Sequence, residues 1–393
     1  MQKSSRAKWI IMLAILALVG LNYQRLLNFA TAPFGVSLDA ALAGEANLQV
    51  PPGFQVNVYA RGLEGPRLMA VDPNGTVYVA EQSNGRVSAL PDANHDGKAD
   101  ARLTVGDGFD GPNSVEVYSG TLIVGEHTQV SQVSLGTSNA TPRKVLIPNL
   151  PLSGFHHTKT AIVGGDGRLY VALGSTCNAC LEEDARRAAV SVYSTSGHDG
   201  RIFARGLRNA VGLALNPWNG EIWATNNGRD LMGNDIPPET LYSLQDGGDY
   251  GWPRCHAGNI VDPENGGAGA CKDVIAPLVT FQAHMAPLGL AFYKEGNFPQ
   301  PYNSSVYVAF HGSWNRSSKV GYKVMRVPLK RGKVAGSPED FVTGFLHDDG
   351  SVSGRPAGVA VARDGSLLVS DDKAGLIYRV SWQGNTGAQS SAH

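Results

Sequence analysis

One phrase recurs six times along this chain, and the recurrence limits the fold more than any other feature. Each copy has a small or polar lead-in, an apolar β-type run, a Gly-containing turn and a second β-run of the Val-Tyr-Val-Ala kind, and it often ends on an acid or Gly. The first copy is Pro66-Arg67-Leu68-Met69-Ala70-Val71-Asp72-Pro73-Asn74-Gly75-Thr76-Val77-Tyr78-Val79-Ala80-Glu81. The others begin at Pro112, Thr158, Arg208, Ala286 and Arg355, so the spacings are 46, 46, 50, 78 and 69 residues. Two short apolar runs joined by Asp-Pro-Asn-Gly or Gly-Asp-Gly read as a hairpin. A period of about 45 residues is that of one four-stranded propeller blade, and the longer spacings read as insertions. One hairpin cannot bury both of its faces, whereas six sheets stacked around an axis can. The expected fold is therefore all-β, a six-bladed β-propeller with four-stranded antiparallel blades over residues 46–384. A two-sheet sandwich, the alternative, has no need of six copies of one phrase.

Composition agrees. Gly and Pro together supply 70 of 393 residues (48 plus 22), which suits a chain that turns often and argues against a helical bundle. Apolar residues make up 42% and charged residues 17%, which is not a disordered composition. The net charge is −1, so no basic surplus points to nucleic acid or to an anionic membrane surface.

At the N-terminus, Lys3, Arg6 and Lys8 precede an apolar run from Trp9 to Leu21. A basic flank followed by a short apolar block reads as an export signal, with Ala41-Leu42-Ala43 as a late cleavage pattern, or as an uncleaved anchor. Residues 1–45 are thus expected to be a signal peptide or membrane anchor plus linker, and 385–393 a disordered tail. The body is expected in the periplasm or another extracytoplasmic compartment, with any membrane attachment through the N-terminus alone. Four cysteines fit that setting as two local disulfides, Cys177 with Cys180 and Cys255 with Cys271. The Cys-x-x-Cys pair is alternatively redox-active or half of a zinc site, but no second such pair completes one.

Several residues outside the repeat carry chemistry. His156-His157 opens the third unit, where a His can act as a general base near its ordinary pKa. Arg208-Asn209 and Arg355-Pro356 open the fourth and sixth units at matching positions, and Arg binds carboxylates in a bidentate fork. Residues 226–239, which include Gly228, Arg229 and Asp235, are rich in oxygen donors and turn formers, so they read as a calcium loop or as a capped surface loop. Asp92, Asn94, Asp96 and Asp100, with Gly97 between, follow the first nine positions of an EF-hand-type loop. Leu103 takes the place of the bidentate Glu, so this is read as a weaker structural calcium site or as an Asx-rich turn.

Taken as a set, Gly206-Leu207-Arg208-Asn209, Gly247-Gly248-Asp249-Tyr250-Gly251-Trp252-Pro253, Phe310-His311-Gly312-Ser313-Trp314-Asn315-Arg316 and Gly354-Arg355-Pro356 give the chain a family likeness over roughly residues 50–382. It resembles the soluble quinoprotein sugar dehydrogenases, six-bladed propellers that use pyrroloquinoline quinone (PQQ) and calcium, and within them the L-sorbosone dehydrogenase branch. The resemblance implies oxidation of a sugar or sugar aldehyde. His156 is the implied general base, with His157 as the fallback. Arg208, Asn209, Arg355 and Trp252 are the implied cofactor contacts, and His311 or Arg316 the implied basic residue covering the quinone. The backbone carbonyls of Gly228 and Arg229, with Asp235 nearby, are the implied calcium ligands. Calcium would polarise the quinone carbonyl, His156 would take the substrate proton, and Arg208 would stabilise developing charge. Ser175 stands where the glucose-oxidising branch has an Asp that orients the His, which argues against glucose. The residues carry no haem-attachment motif, so the resemblance implies that electrons are expected to leave to a separate acceptor. The rival readings are a calcium-dependent propeller hydrolase or lactonase and a non-catalytic binding propeller.

Overall fold

A computed structural model of the chain describes residues 47–135 and 143–384. The segment expected to be a signal or anchor and the expected C-terminal tail lie outside the described residues. Among the described residues no helix is long and apolar enough to cross a membrane. The architecture is the expected six-bladed propeller. Blade 1 is Pro66–Val71, Val77–Glu81, Arg86–Leu90 and Leu103–Gly106; blade 2 is Ser114–Tyr118, Thr121–Gly125, Val130–Ser134 and Lys144–Ile147. Blade 3 is Lys159–Val163, Leu169–Leu173, Ala189–Tyr193 and Arg201–Arg205; blade 4 is Leu213–Leu215, Ile222–Asn226, Glu239–Ser243 and Val279–Phe281. Blade 5 is Pro287–Lys294, Ser304–Phe310, Lys323–Lys330 and Glu339–Val342, and blade 6 contributes Pro356–Val361, Leu367–Asp371 and Leu376–Trp382.

The fourth strand of blade 6 comes from the other end of the chain. Phe54–Ala60 pairs antiparallel with Leu376–Trp382, starting with Phe54 opposite Trp382. This closes the ring and covers the outer edge of Leu376–Trp382. Phe54 anchors the closure in an aromatic cluster, with ring centroids 4.8 Å from Phe298, 5.0 Å from Tyr302, 5.1 Å from Phe341 and 4.9 Å from Trp382. Each such edge-on pair adds roughly 0.5–1.5 kcal/mol beyond burial.

The core lies between blades, and strand alternation explains it. In Lys159–Val163, Ala161 and Val163 pack toward blade 2 with Ile123, Leu146 and Ile147, while Ile162 packs toward blade 4 with Ile222 and Tyr242. Successive side chains of a strand point to opposite faces, so every blade feeds two cores. The same holds at the 1/2, 4/5, 5/6 and 6/1 junctions. Both faces of the inner strands are covered, so their sequences are mostly apolar, with polar residues such as Arg67, Ser114 and Lys159 at the ends that face the axis opening.

The recurrent acid is a structural cap. Glu81 accepts from the Glu64 amide, Glu126 from the Asp110 amide and Asp371 from the Arg355 amide, each fastening the loop that leads into its own blade. The long spacing after the fourth unit is an excursion before the outer strand of blade 4. In it Gly248–Asp249 adds a parallel fifth strand to blade 3, and Cys255–Cys271 ties the remainder.

Candidate functional site

Antiparallel pairing places the start of each inner strand beside the end of its neighbour. Pro66 lies opposite Glu81, Ser114 opposite Gly125, Lys159 opposite Leu173, Pro287 opposite Phe310 and Pro356 opposite Asp371. All lead-in segments and all second-strand ends therefore sit at one end of the axis. His156, Ser175, Arg208, Asn209, Gly228, His311 and Arg355 belong to those segments.

His156 packs against the end of the second strand of blade 3. Its Nδ1 lies 2.9 Å from the Ser175 carbonyl and 3.0 Å from Ser175 Oγ. A carbonyl only accepts, so Nδ1 carries the proton and Nε2 presents its lone pair. Ser175 thus orients His156 through its backbone oxygen, in place of a carboxylate. Burial, then the positive charge of Arg208, pushes the His156 pKa down to about 3, so the imidazole is neutral. Buried Arg187 steadies this segment from behind, donating to the carbonyls of His156 (3.0 Å), Gly174 (3.1 Å) and Ser153. His157, the fallback, turns outward: it is exposed and its Nδ1 bonds the Leu152 carbonyl at 2.8 Å.

Arg208 is 4% exposed and its guanidinium is held on several sides. Nε donates to the Asn178 carbonyl (3.0 Å), Nη2 to Asn178 Oδ1 (3.0 Å) and Asp230 Oδ2 (2.7 Å), and Nη1 to the Gly228 carbonyl (2.7 Å). Buried Trp252, from the Gly-Gly-Asp-Tyr-Gly-Trp-Pro motif, donates its indole N–H to the same Asn178 carbonyl at 3.2 Å. Both expected disulfides are present, and Asn178 lies inside the Cys177–Cys180 ring. Those two cysteines and Glu182 are the one His/Cys/Asp/Glu cluster of metal-binding size among the described residues, and the disulfide removes both thiolates as ligands.

On the other side of the axis, Asp372 joins three blades. Its carboxylate lies 2.8 Å from His311 Nε2 (blade 5) and 2.6 Å from Arg67 Nη1 (blade 1). Arg67 Nε also bonds Asn113 Oδ1 at 3.1 Å, and Arg355 Nε bonds the His311 carbonyl at 3.2 Å. Burial alone would raise the Asp372 carboxyl; His311 and Arg67 outweigh it and hold it well below the ordinary carboxylate range.

Other expected residues stand apart. The Arg229 side chain turns away to buried Asp262, which His256 also bonds at 2.8 Å, and to exposed Glu264, so only its backbone remains for the site. The Asp235 side chain is 85% exposed and pairs with Arg316, which also bonds the Asn234 carbonyl. Arg316 therefore pins the loop between the second and third strands of blade 4 to the corresponding loop of blade 5. The carboxylate beside Arg208 is Asp230, whose Oδ1 accepts from Asn315 at 2.8 Å. Glu239, wholly buried and raised by burial to about 7, fastens the loop by accepting from the Gly228 amide at 2.6 Å. Asp92, Asn94, Asp96 and Asp100 lie at the surface and accept from amides of their own loop, including Gly97 at 3.0 Å and Lys98 at 2.9 Å. Their carboxylate oxygens do not gather within 4.8 Å of one another.

Among the described residues, four polar groups at this end have no hydrogen-bond partner: His156 Nε2, the Asn209 side-chain amide, His311 Nδ1 and the Arg355 Nη groups. Asn315 Oδ1, buried beside Asp230, is likewise unpartnered. At the rim, Phe155 and Trp314, chain neighbours of His156 and Asn315, are 70% and 65% exposed.

Comparison with known proteins agrees with this geometry. A family model described as TrAA12-like matches residues 48–264 and 259–383. An uncharacterized protein of Borreliella burgdorferi is 27% identical over 86% of this chain and 92% of its own length. A pyrroloquinoline quinone-dependent pyranose dehydrogenase of Coprinopsis cinerea is 25% identical over 87% of this chain, which spans only 56% of that protein's length. Among solved structures, a Trichoderma reesei carbohydrate-active enzyme of family AA12 superposes with a TM-score of 0.74 at 22% identity, covering 86% of this chain and 98% of that one. The holo PQQ domain of the Coprinopsis cinerea pyranose dehydrogenase gives 0.71 at 22% identity, with 86% and 97% covered. With its family model matched over nearly the whole propeller, this chain belongs to the TrAA12-like family.

Proposed function

We propose that this chain is a PQQ- and calcium-dependent dehydrogenase of a sugar or sugar aldehyde. The observation that carries the reading is the set of unpartnered polar groups at one end of the axis, namely His156 Nε2, Asn209, His311 Nδ1 and the Arg355 Nη groups. A planar quinone bearing several carboxylates matches that mixture of cationic donors and neutral donor and acceptor groups. Calcium also fits the donors present. Among the described residues the Arg229 carbonyl accepts no hydrogen bond and the Gly228 carbonyl accepts one, from Arg208, so each keeps a lone pair for a hard cation. Pyranose dehydrogenase and aldose sugar dehydrogenase activities carried by relatives support the same substrate class.

When bound, the quinone with its calcium supplies the hydride acceptor. The protein's residues supply the rest. His156, with Nδ1–H fixed on Ser175, receives the substrate hydroxyl proton at Nε2. Its low pKa keeps it unprotonated, and anionic carboxylates brought close to it would raise that pKa toward a more effective range. Arg208, clamped and desolvated, faces developing negative charge without reorganising. Arg355 Nη groups and Asn209 hold a carboxylate-bearing ligand. Phe155 and Trp314 offer aromatic faces at the rim to the apolar face of a sugar ring. The two disulfides and the N-terminal pattern support work in an oxidising, extracytoplasmic compartment, with electrons passed to a separate acceptor.

A hydrolase reading is less favoured, because the carboxylates at this end are already committed. Asp230 serves Arg208, Asp372 serves Arg67 and His311, and Glu239 and Asp371 serve backbone amides. The test is reduction of a dye by protein reconstituted with PQQ and calcium, across aldoses and sorbosone. Sugar-dependent reduction that disappears in His156→Ala with PQQ binding retained supports the reading; full turnover in that variant removes His156 from the base role.

A further inference from the structure

Arg208 forms more hydrogen bonds to one residue, Asn178, than to the carboxylate that pairs with it. Nε meets the Asn178 carbonyl and Nη2 meets its side-chain oxygen, both at 3.0 Å. One edge of the guanidinium is thus read by the backbone and side chain of a single neutral residue. A carboxylate contact alone lets a guanidinium pivot; a fork on one edge fixes its plane. Asn178 also fixes the partner of Arg208. Its Oδ1 accepts from the Asp230 amide at 2.8 Å and its Nδ2 donates to the Asp230 carbonyl at 2.9 Å. The Trp252 indole completes the set at the Asn178 carbonyl, so segments of blade 3, of the loop between the second and third strands of blade 4 and of that blade's excursion meet on this residue. The Cys177–Cys180 disulfide closes a ring around it, which limits the backbone freedom of a surface loop at this one point.

We propose that Asn178, held in the Cys177–Cys180 ring, is the positioning residue that sets the plane and place of the Arg208 guanidinium. The assignment rests on the reading of Arg208 as the group that meets developing charge. Because Asn178 is uncharged, it fixes the guanidinium without cancelling its charge, so Asp230 remains its only counter-ion among the hydrogen-bonded partners. Arg208 in turn acts on His156, whose pKa it helps to lower after burial. That link supplies a readout distinct from turnover.

Asn178→Ala removes the side-chain oxygen from Arg208 and leaves the Asp230 amide and carbonyl without their partner. The expected loss in kcat is on the order of a hundred-fold, the scale of an ångström-size misplacement. In the cofactor-free protein the His156 imidazole, followed by NMR titration, is expected to shift its pKa upward as the guanidinium loosens. Asn178→Asp keeps an acceptor for Arg208 Nη2 and for the Asp230 amide, but it adds a second counter-ion to Arg208 and loses the donor to the Asp230 carbonyl, so turnover is expected to stay low while the His156 pKa rises further. The double variant Cys177→Ser/Cys180→Ser leaves the Asn178 side chain in place and is expected to show the same two changes at smaller size. It carries the test should Asn178→Ala fail to fold. Unchanged kcat together with unchanged His156 titration, in either variant, overturns the proposal. Failure of the underlying reading shows separately: Arg208→Ala with full turnover removes Arg208 from the chemistry, whatever Asn178 does to the His156 titration.

Discussion

Gly174 sits where the second strand of blade 3 turns toward Ser175, and its missing side chain makes room for His156. A Cβ at position 174 would lie 2.4 Å from His156 Cβ, 2.5 Å from Asn209 Oδ1 and 3.1 Å from His156 Cγ. Its backbone is not in the left-handed region, so Gly174→Ala meets no conformational barrier and acts by contact alone. Carbon atoms in contact sit at about 3.5–4.0 Å, so the His156 side chain must retreat by about 1 Å. Such a displacement of a catalytic base costs on the order of a hundred-fold in kcat, or about 2.7 kcal/mol in activation free energy. Overpacking costs roughly 1–3 kcal/mol of stability. The assay is dye-linked turnover of the reconstituted enzyme beside a denaturant melt, with Gly267→Ala as control, since a Cβ there meets nothing within 4 Å. A folded Gly174→Ala variant with wild-type kcat would refute the argument that His156, packed on this glycine, is the positioned base.

Three further outcomes follow from the same geometry. Asp372→Asn leaves Arg67 and His311 without their shared carboxylate and should cost about 3 kcal/mol at neutral pH, read by denaturant unfolding. Because the native Asp372 carboxyl is held below its ordinary range, its contribution is present above the unfolded value near pH 4 and fades as pH falls further, so wild type and variant should converge in acid. Burial, then the Arg187 charge, lowers Lys159 to about 7; the unfolded chain therefore binds more protons between about pH 7 and pH 10, wild-type stability should rise with pH across that window, and Lys159→Met should abolish the rise. Trp314→Ala should raise KM for sugar with little change in PQQ affinity; unaltered KM would remove the rim from substrate binding.

The blades were legible because their inner hairpins are buried on both faces and so must repeat an apolar pattern. The expected unit starts at 66, 112, 158, 208, 286 and 355 compare with inner strands beginning at Pro66, Ser114, Lys159, Leu213, Pro287 and Pro356. Closure was not legible. Phe54–Ala60 finds its partner more than three hundred residues away, and a local pattern carries no trace of that pairing. Outer strands such as Leu103–Gly106 are partly exposed and keep no strict alternation. In the site, the Gly-Leu-Arg-Asn and Gly-Gly-x-Tyr-Gly-Trp-Pro motifs led to Arg208 and Trp252, which the structure joins at Asn178. The acids were harder. The loop between the second and third strands of blade 4 offers Asp230 and Asp235, and composition cannot say which turns inward; Asp230 does, while Asp235 pairs with Arg316 at the surface. Asp372 escaped notice because its partners, Arg67 and His311, are brought to it only by ring closure.

In the proposed enzyme this end of the axis receives an anionic quinone together with calcium. The most direct measurement is an absorbance titration of the cofactor-free protein with PQQ, with calcium present and with calcium chelated, beside Arg355→Ala. Saturable binding that needs calcium and weakens in Arg355→Ala is the predicted result. Absence of binding with calcium present, or binding indifferent to both calcium and Arg355, would contradict the account.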